Sequence, residues 1–332
     1  MKKRVMVIMA LLIAVVFVLG CNSPAQGAPV VLKASMFFPY TPLNVEYKSY
    51  ADWCRKMSER SKGELVINFV GGGEVISVKD QVEALRNGVI DLSLVPSGVY
   101  RQFVPELSSV GMVSELTALE ERKAGFVDWM NQRHMKHGMV YLGRYPGGGF
   151  VFYSNKLVND PRKDFKGLKW GVTGTMWNGF CIALGMVPAF VPPEEKYAAM
   201  ERNVIDGLGV STTGAISLGF QEVSKYRIDQ IFWKAHGTFN IVGLKGWNKL
   251  SKPLQNLLVQ EQIRLETDMP PVIARLVTEE RQKMIDKGVK ITTFSAEDAK
   301  WYNDLANETK WNELKKDAPD SYATLKAMLT KK

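Results

Sequence analysis

At 332 residues the chain is longer than one core usually serves, and 46% hydrophobic with 23% charged residues excludes wholesale disorder. The formal charge of +9 drops to +6 when Lys2, Lys3 and Arg4 are set aside, because 40 basic residues then face 34 acidic ones. These charges are interspersed rather than clustered, which argues against nucleic-acid binding.

The chain opens with a basic Met1–Arg4 and an apolar run, Val5–Leu19, of signal-peptide length and short for a bilayer span. The run ends in Val18-Leu19-Gly20-Cys21, which resembles a bacterial lipobox with Cys21 as the acylated residue. Cleavage after Gly27, with small residues at Ala25 and Gly27, is the alternative. Either route exports the protein, so a periplasmic location is expected, with membrane contact only through a lipid on Cys21. The remaining Cys54 and Cys181 fall on apolar helix faces in different halves and read as buried free thiols.

Val30–Phe38 reads as a strand, Asn44–Lys62 as a helix closed by Gly63, and Leu65–Val70 as a strand running into Gly71-Gly72-Gly73-Glu74. A helix over Lys79–Asn87, stopped by Gly88, leads to the strand Val89–Pro96. Thr117 and Glu120 form a capping box for a helix reaching about His137. Met139–Tyr145 and Phe150–Ser154, joined by a bend at 146–149, would cross to a second lobe.

There the segment Phe165–Thr213 reads as one strand–helix–strand–helix–strand unit, with strands at Lys169–Thr173 and Val187–Val191 and a third starting at Val204. Asp229–Lys234 and Thr238–Leu244 look like strands returning to the first lobe. Ser251–Lys287 is helical and long enough to lie across both lobes, with Pro270-Pro271 expected to kink or split it. Two further helices, from Ser295 and from Asp320, close the chain.

The halves share a signature. Val82–Asp91 (VEALRNGVID) aligns without gaps to Tyr197–Asp206 (YAAMERNVID), placing Gly88 opposite Asn203 and Asp91 opposite Asp206. Gly and Asn are the residues that most readily turn left-handed at a helix end. The order of elements predicts an α/β fold of two similar lobes, a periplasmic-binding-protein-like (type II-like) clam-shell with crossing hinge strands and a long spanning helix. The expected division is a leader over 1–27, lobe I over 28–148 plus about 237–270, and lobe II over 149–236 plus about 271–332.

No catalytic pattern assembles: HExxH, GxGxxG after a strand, the phosphate-loop motif and GxSxG are all missing. Gly71–Gly73 lacks the lysine of a phosphate cradle and reads as a tight turn. His134 and His137 lie three apart with no further ligand nearby and read as surface histidines, while His236 reads as structural. No metal, cofactor or enzymatic activity is expected. In open α/β sheets ligands sit beyond the carboxyl ends of the strands, which here carry Thr173-Gly174-Thr175 and Gly209–Thr213. Trp177 opens a helix at that edge and is a candidate ligand wall.

Several segments carry a family resemblance. DFKGLKWGVTGT (Asp164–Thr175) resembles the "D-hKGhKhRv" stretch of DctP-type solute-binding proteins of TRAP (tripartite ATP-independent periplasmic) transporters, and PPEEKYAAMERNVIDG (Pro192–Gly207) their "E-hYxALqxGvhDG". RSKGELVINFVGGGEV (Arg60–Val75), EALRNGVIDLSLV (Glu83–Val95) and WNKLSKPLQNLL (Trp247–Leu258) match further family segments in order. The resemblance implies two α/β lobes joined by crossing strands, closing on a small organic molecule and delivering it to TRAP membrane subunits, with no cofactor and a monomeric receptor. A ligand sensor of the same architecture, feeding a signalling receptor, is the alternative.

The chain departs from the family at the ligand. Where the resemblance implies an arginine that forks onto a ligand carboxylate, this sequence has Gly171; a second commonly basic position is Val151, and a polar one is Val210, followed by Ser211, Thr212 and Thr213. Either Arg144 or Arg101 substitutes, or the ligand is neutral or aromatic and held by apolar and hydroxyl contacts. By position or by strand end, the ligand-binding candidates are Phe38, Tyr40, Glu74, Ser97, Tyr100, Arg144, Val151, Gly171, Thr173, Trp177, Val210, Ser211, Thr212, Phe239 and Asn240, with Phe37 beside them.

Overall fold

A computed structural model describes residues 28–40, 45–172, 176–233 and 237–331. The leader with Cys21, Thr173-Gly174-Thr175 and His236 therefore lie outside the described residues.

The first half runs β1 (Val30–Met36), α1 (Val45–Arg60), β2 (Leu65–Gly71), α2 (Gln81–Asn87), β3 (Leu92–Pro96), α3 (Ala118–Lys123), α4 (Phe126–His134) and β4 (Met139–Arg144). The chain then crosses to β5 (Phe150–Ser154), β6 (Lys169–Val172), α5 (Asn178–Ala183), β7 (Val187–Phe190), α6 (Lys196–Glu201), β8 (Gly207–Ser211) and β9 (Tyr226–Phe232). It closes with β10 (Thr238–Gly243), α7 (Lys252–Asp286), β11 (Lys290–Thr292), α8 (Ala296–Asp317) and α9 (Pro319–Leu329).

The strands form two sheets, ordered β2-β1-β3-β10-β4 and β11-β9-β5-β8-β6-β7. Each contains a parallel trio with its first strand in the middle, β2-β1-β3 in one and β7-β6-β8 in the other. The strands at the crossings, β10 and β5, run antiparallel to their trios, because they approach from the opposite lobe. Both sheets are therefore mixed. The second strand expected to return to the first lobe, β9, stays in the second sheet between β5 and β11, and only β10 goes back.

The repeated ten-residue signature has one hydrogen-bonding role in both sheets. Gly88 (φ +78°) and Asn203 (φ +54°) are both left-handed, turning the chain so that Val89 N donates to Ala84 O and Val204 N to Ala199 O, both at 2.9 Å. The aspartate then faces the central strand. Asp91 N donates to Lys33 O at 2.8 Å while Asp91 Oδ2 accepts Lys33 N at 2.9 Å; Asp206 makes the same pair with Lys169 at 2.7 and 2.9 Å. Each side chain thus continues the strand ladder one rung beyond its strand.

The capping box at Thr117 and Glu120 is present, but the helix it opens stops at Lys123 and restarts after Gly125 (φ +82°), a break the apolar periodicity hid. The long helix is continuous over 35 residues through Pro270 and Pro271, so the expected split does not occur. Each proline removes a single N–H, and the turns on either side hold the helix together. Leu254, Leu258, Leu265, Met269 and Ile273 of α7 pack in the first sheet's core and Met284 in the second's.

A second helix also bridges: Tyr302 and Ala306 of α8 enter the second-sheet core, while Trp311 and Leu314 join α9 on the first-sheet side. Cys54 and Cys181 are free and buried. No helix among the described residues is long and apolar enough to cross a membrane.

Replacing Asp91 by Ala removes the acceptor of Lys33 N and the partner of Lys249 Nζ (2.7 Å). The expected loss is about 1–3 kcal/mol of unfolding free energy in urea denaturation, with Asp206→Ala behaving alike in the second lobe.

Candidate functional site

The parallel trios aim their carboxyl ends at one another. From the first sheet come Phe37 and Phe38 after β1, the Gly71–Glu74 loop after β2 and Ser97 after β3; from the second come Val191 after β7 and Ser211–Thr213 after β8. The junction is direct. Thr213 Oγ1 donates to Glu46 Oε1, in the first turn of α1, at 2.8 Å, and Thr212 N donates to Gly149 O of the crossing at 3.0 Å. Gly148 is required there, since an added Cβ would sit 2.0 Å from Thr212 Oγ1.

Glu46 was not among the sequence candidates. It is 6% exposed, and no basic side chain pairs with it among the described residues; burial pushes its pKa up, and nearby Glu280 adds to the effect. Glu280, on α7, accepts Ile216 N at 2.7 Å and is raised by burial as well. The Thr212 hydroxyl and the Ser97 hydroxyl are buried at the same junction without hydrogen-bond partners among the described residues, and Ser97 N donates to Gly237 O at 2.6 Å. The two carboxylates offer acceptors, and each of the two hydroxyls can donate or accept a hydrogen bond.

Other candidates occupy different places. Glu74 clasps two loops, its carboxylate accepting Gly72 N (2.8 Å), Tyr40 N (2.9 Å) and Tyr47 OH (3.2 Å), while the Tyr40 ring is exposed beside Tyr47. Phe38 stacks near Phe37, and its carbonyl accepts Gly73 N at 3.2 Å. Trp177 is 7% exposed and packs edge-on against Phe150 (4.8 Å) and over Gly209, whose missing side chain admits the indole. Val151 and Val210 pair across β5 and β8 and are buried in the second lobe's core.

Tyr100 is fully buried on the first lobe's helical side, its hydroxyl 3.2 Å from His134 Nε2. His134 itself is buried rather than surface-exposed, held by Met130 O at 2.8 Å, with burial pushing its pKa down to about 4. Among the described residues no group of three or more His, Cys, Asp or Glu could hold a metal ion.

Arg144 is 5% exposed and ion-paired to buried Glu121, so its charge is already matched inside the first lobe. Beside it Asn240 Nδ2 donates to Gln262 Oε1 at 2.9 Å and Asn240 Oδ1 accepts Tyr50 OH at 3.1 Å, while Phe239 packs on Tyr141. Arg101 is exposed. Gly171 turns its missing side chain toward Ile205, whose Cδ1 lies 2.5 Å from where a Cβ would be. Two shallow surface grooves, one of about 660 Å³ between α3 and α9 and one beside α4, contain none of the candidates.

The family description "Bacterial extracellular solute-binding protein, family 7" matches residues 39–317. A solute-binding protein of Albidiferax ferrireducens is 25% identical over 179 residues, 52% of each chain, so the match spans about half the length of that curated relative. Two crystal structures share the fold. A TRAP periplasmic solute-binding protein from Desulfovibrio salexigens with bound orotic acid is 17% identical with a TM-score of 0.77, over 91% of this chain and 100% of that one. Another from Rhodoferax ferrireducens with bound malonate is 21% identical with a TM-score of 0.75, over 90% and 96%. The architecture is accordingly the two-lobed periplasmic-binding-protein fold.

Two outcomes are expected. Glu121→Ala strands the buried Arg144 charge and lowers stability by about 3–5 kcal/mol in chemical denaturation. Glu46→Gln keeps an acceptor for Thr213 while removing the charge. Because the folded pKa of Glu46 is raised above 4.5, its carboxylate penalty is present at neutral pH and relieved as pH falls through the folded value. Melting curves should therefore show the wild type gaining on Glu46→Gln upon acidification toward 4.5 and falling behind it near neutrality.

Proposed function

This chain belongs to family 7 of the bacterial extracellular solute-binding proteins, binding proteins rather than enzymes, and from that premise we propose that it is the solute receptor of a TRAP-type secondary transporter. It takes up a small organic molecule between lobes built on the two sheets, and the closed form is what the membrane subunits read. The lobes comprise 28–148 with about 237–270 and 149–236 with the chain beyond about 271, bridged by α7 and α8.

The observation that carries this reading is the Glu46–Thr213 hydrogen bond, which joins the two sets of strand ends where a solute would lie. A contact of this kind can form and break as the lobes rock on β4–β5, β9–β10 and the two bridging helices. A solute shifts that equilibrium by as much as it prefers the closed form. Export is supported by the basic and apolar start of the chain, with Cys21 as the lipid-bearing residue.

The test is a thermal-shift screen of the mature chain against orotate, malonate and succinate, together with neutral aromatic and polyol solutes. A solute at a hundred times its Kd should stabilise the fold by about 2.7 kcal/mol, and small-angle scattering should show contraction with the same compound. A flat melting temperature across the whole set, with no contraction, would overturn the receptor reading.

A further inference from the structure

Basic residues that are interspersed along the sequence gather at one end of the first lobe. β1, β2, β3 and β4 all start there, and β10 finishes there because it runs antiparallel to β3 and β4. Four connecting segments, 61–64, 86–91, 136–138 and 244–252, make up this end. They carry Lys62, Arg86, Lys136, Lys245, Lys249 and Lys252 against Glu64 and Asp91. The segments are laced together: Lys245 Nζ donates to Asn87 O at 3.1 Å, Arg86 Nε to His137 O at 3.1 Å, and Leu244 N to Gly138 O at 2.8 Å. The start of β1 joins them through Val30 N, which donates to Glu64 O at 2.8 Å. Lys249 is matched by Asp91, and Arg86 by Glu83 at 2.8 Å. Lys62, Lys136, Lys245 and Lys252 are exposed. So are two apolar side chains at the same end, Val31 at 51% and Val89 at 59%.

A cationic face with apolar spots is matched by a layer of anionic phospholipid headgroups, where each lysine near the surface adds to the attraction. The second lobe's outer end is basic as well, through Lys156, Lys166, Arg202, Lys225 and Lys287. Charge alone therefore does not choose between the ends. The start of the chain does. Cys21 lies nine residues before Val30, and nine residues span at most about 30 Å. β1 belongs to the first lobe's sheet, so a lipid on Cys21 holds that lobe's basic end near the bilayer.

We propose that the anchored receptor rests with this end of its first lobe on anionic lipid headgroups. The carboxyl ends of β1, β2 and β3 lie at the opposite edge of the sheet, so this posture leaves them to solvent. Attraction between exposed charges is screened within about 10 Å at about 0.1 M salt, which makes the posture reversible. The proposal rests on Cys21 as the lipid-bearing residue and is independent of which solute is carried.

The test couples the chain from Cys21 onward, through that thiol, to vesicles containing a maleimide lipid; Cys54 and Cys181 are buried. Trace acetylation of lysines, read by mass spectrometry, is then compared on phosphatidylglycerol-rich and all-phosphatidylcholine vesicles. Lys62, Lys136, Lys245 and Lys252 should react about tenfold more slowly on the anionic vesicles at about 0.1 M salt. At about 1 M salt they should return to the phosphatidylcholine rate, with Lys166 and Lys287 unchanged throughout. Combining Lys136→Glu, Lys245→Glu and Lys252→Glu should abolish the protection of Lys62, and the comparison of the two lipids decides the matter even if that variant folds poorly. Equal rates on both vesicles, or protection of the second lobe's lysines, overturns the posture. A native chain whose Cys21 carries no acyl mass overturns it too, and leaves the receptor reading standing.

Discussion

The hinge depends on a chain of buried amides. Tyr50 of α1 donates to Asn240 of β10, Asn240 to Gln262 of α7, and Gln262 in turn to Arg144 O at the end of β4 and to Glu266, each at 2.9–3.1 Å. Arg122 of α3 closes the series onto Glu266 at 2.8 Å. Polar groups this deep are costly unless all are satisfied, and a satisfied series permits one relative placement of the parts that carry it. The two strands that meet the second lobe, β4 and β10, are thereby fixed to the long helix as one block.

The same accounting sorts the charges. Arg122, Arg144 and Arg227 are all deep in the structure and all paired, with Glu266, Glu121 and Asp229. Their partners serve the scaffold. Among the buried polar groups of the described residues, the Thr212 and Ser97 hydroxyls have no hydrogen-bond partner and Glu46 has no basic one. Which charges are consumed locally is a distinction that residue type alone does not make.

This explains what the sequence could and could not disclose. Element order and the doubled VID signature were legible because they rest on local periodicity and helix-stop residues, and the left-handed Gly88 and Asn203 follow from their own backbone preferences, whereas the sheet that β9 joins is set by long-range pairing that periodicity does not carry. The break at Gly125 was missed because the apolar pattern on either side keeps its phase. Partner choice was the harder matter. Arg144 was a ligand candidate until Glu121, 23 residues away, proved to hold it, and Glu46 meets Thr213 across 167 residues.

Gly171 and Ile205 form one unit of inheritance rather than two. The isoleucine occupies the space that any side chain at 171 would need, with Cδ1 2.5 Å from the absent Cβ. A lineage that regained a basic residue at 171 would first have to shrink or turn Ile205, and one that shrank Ile205 alone would open a void in a close-packed core. Each step is unfavourable without the other. The route from Gly171 to an arginine on β6 therefore passes through a less stable intermediate.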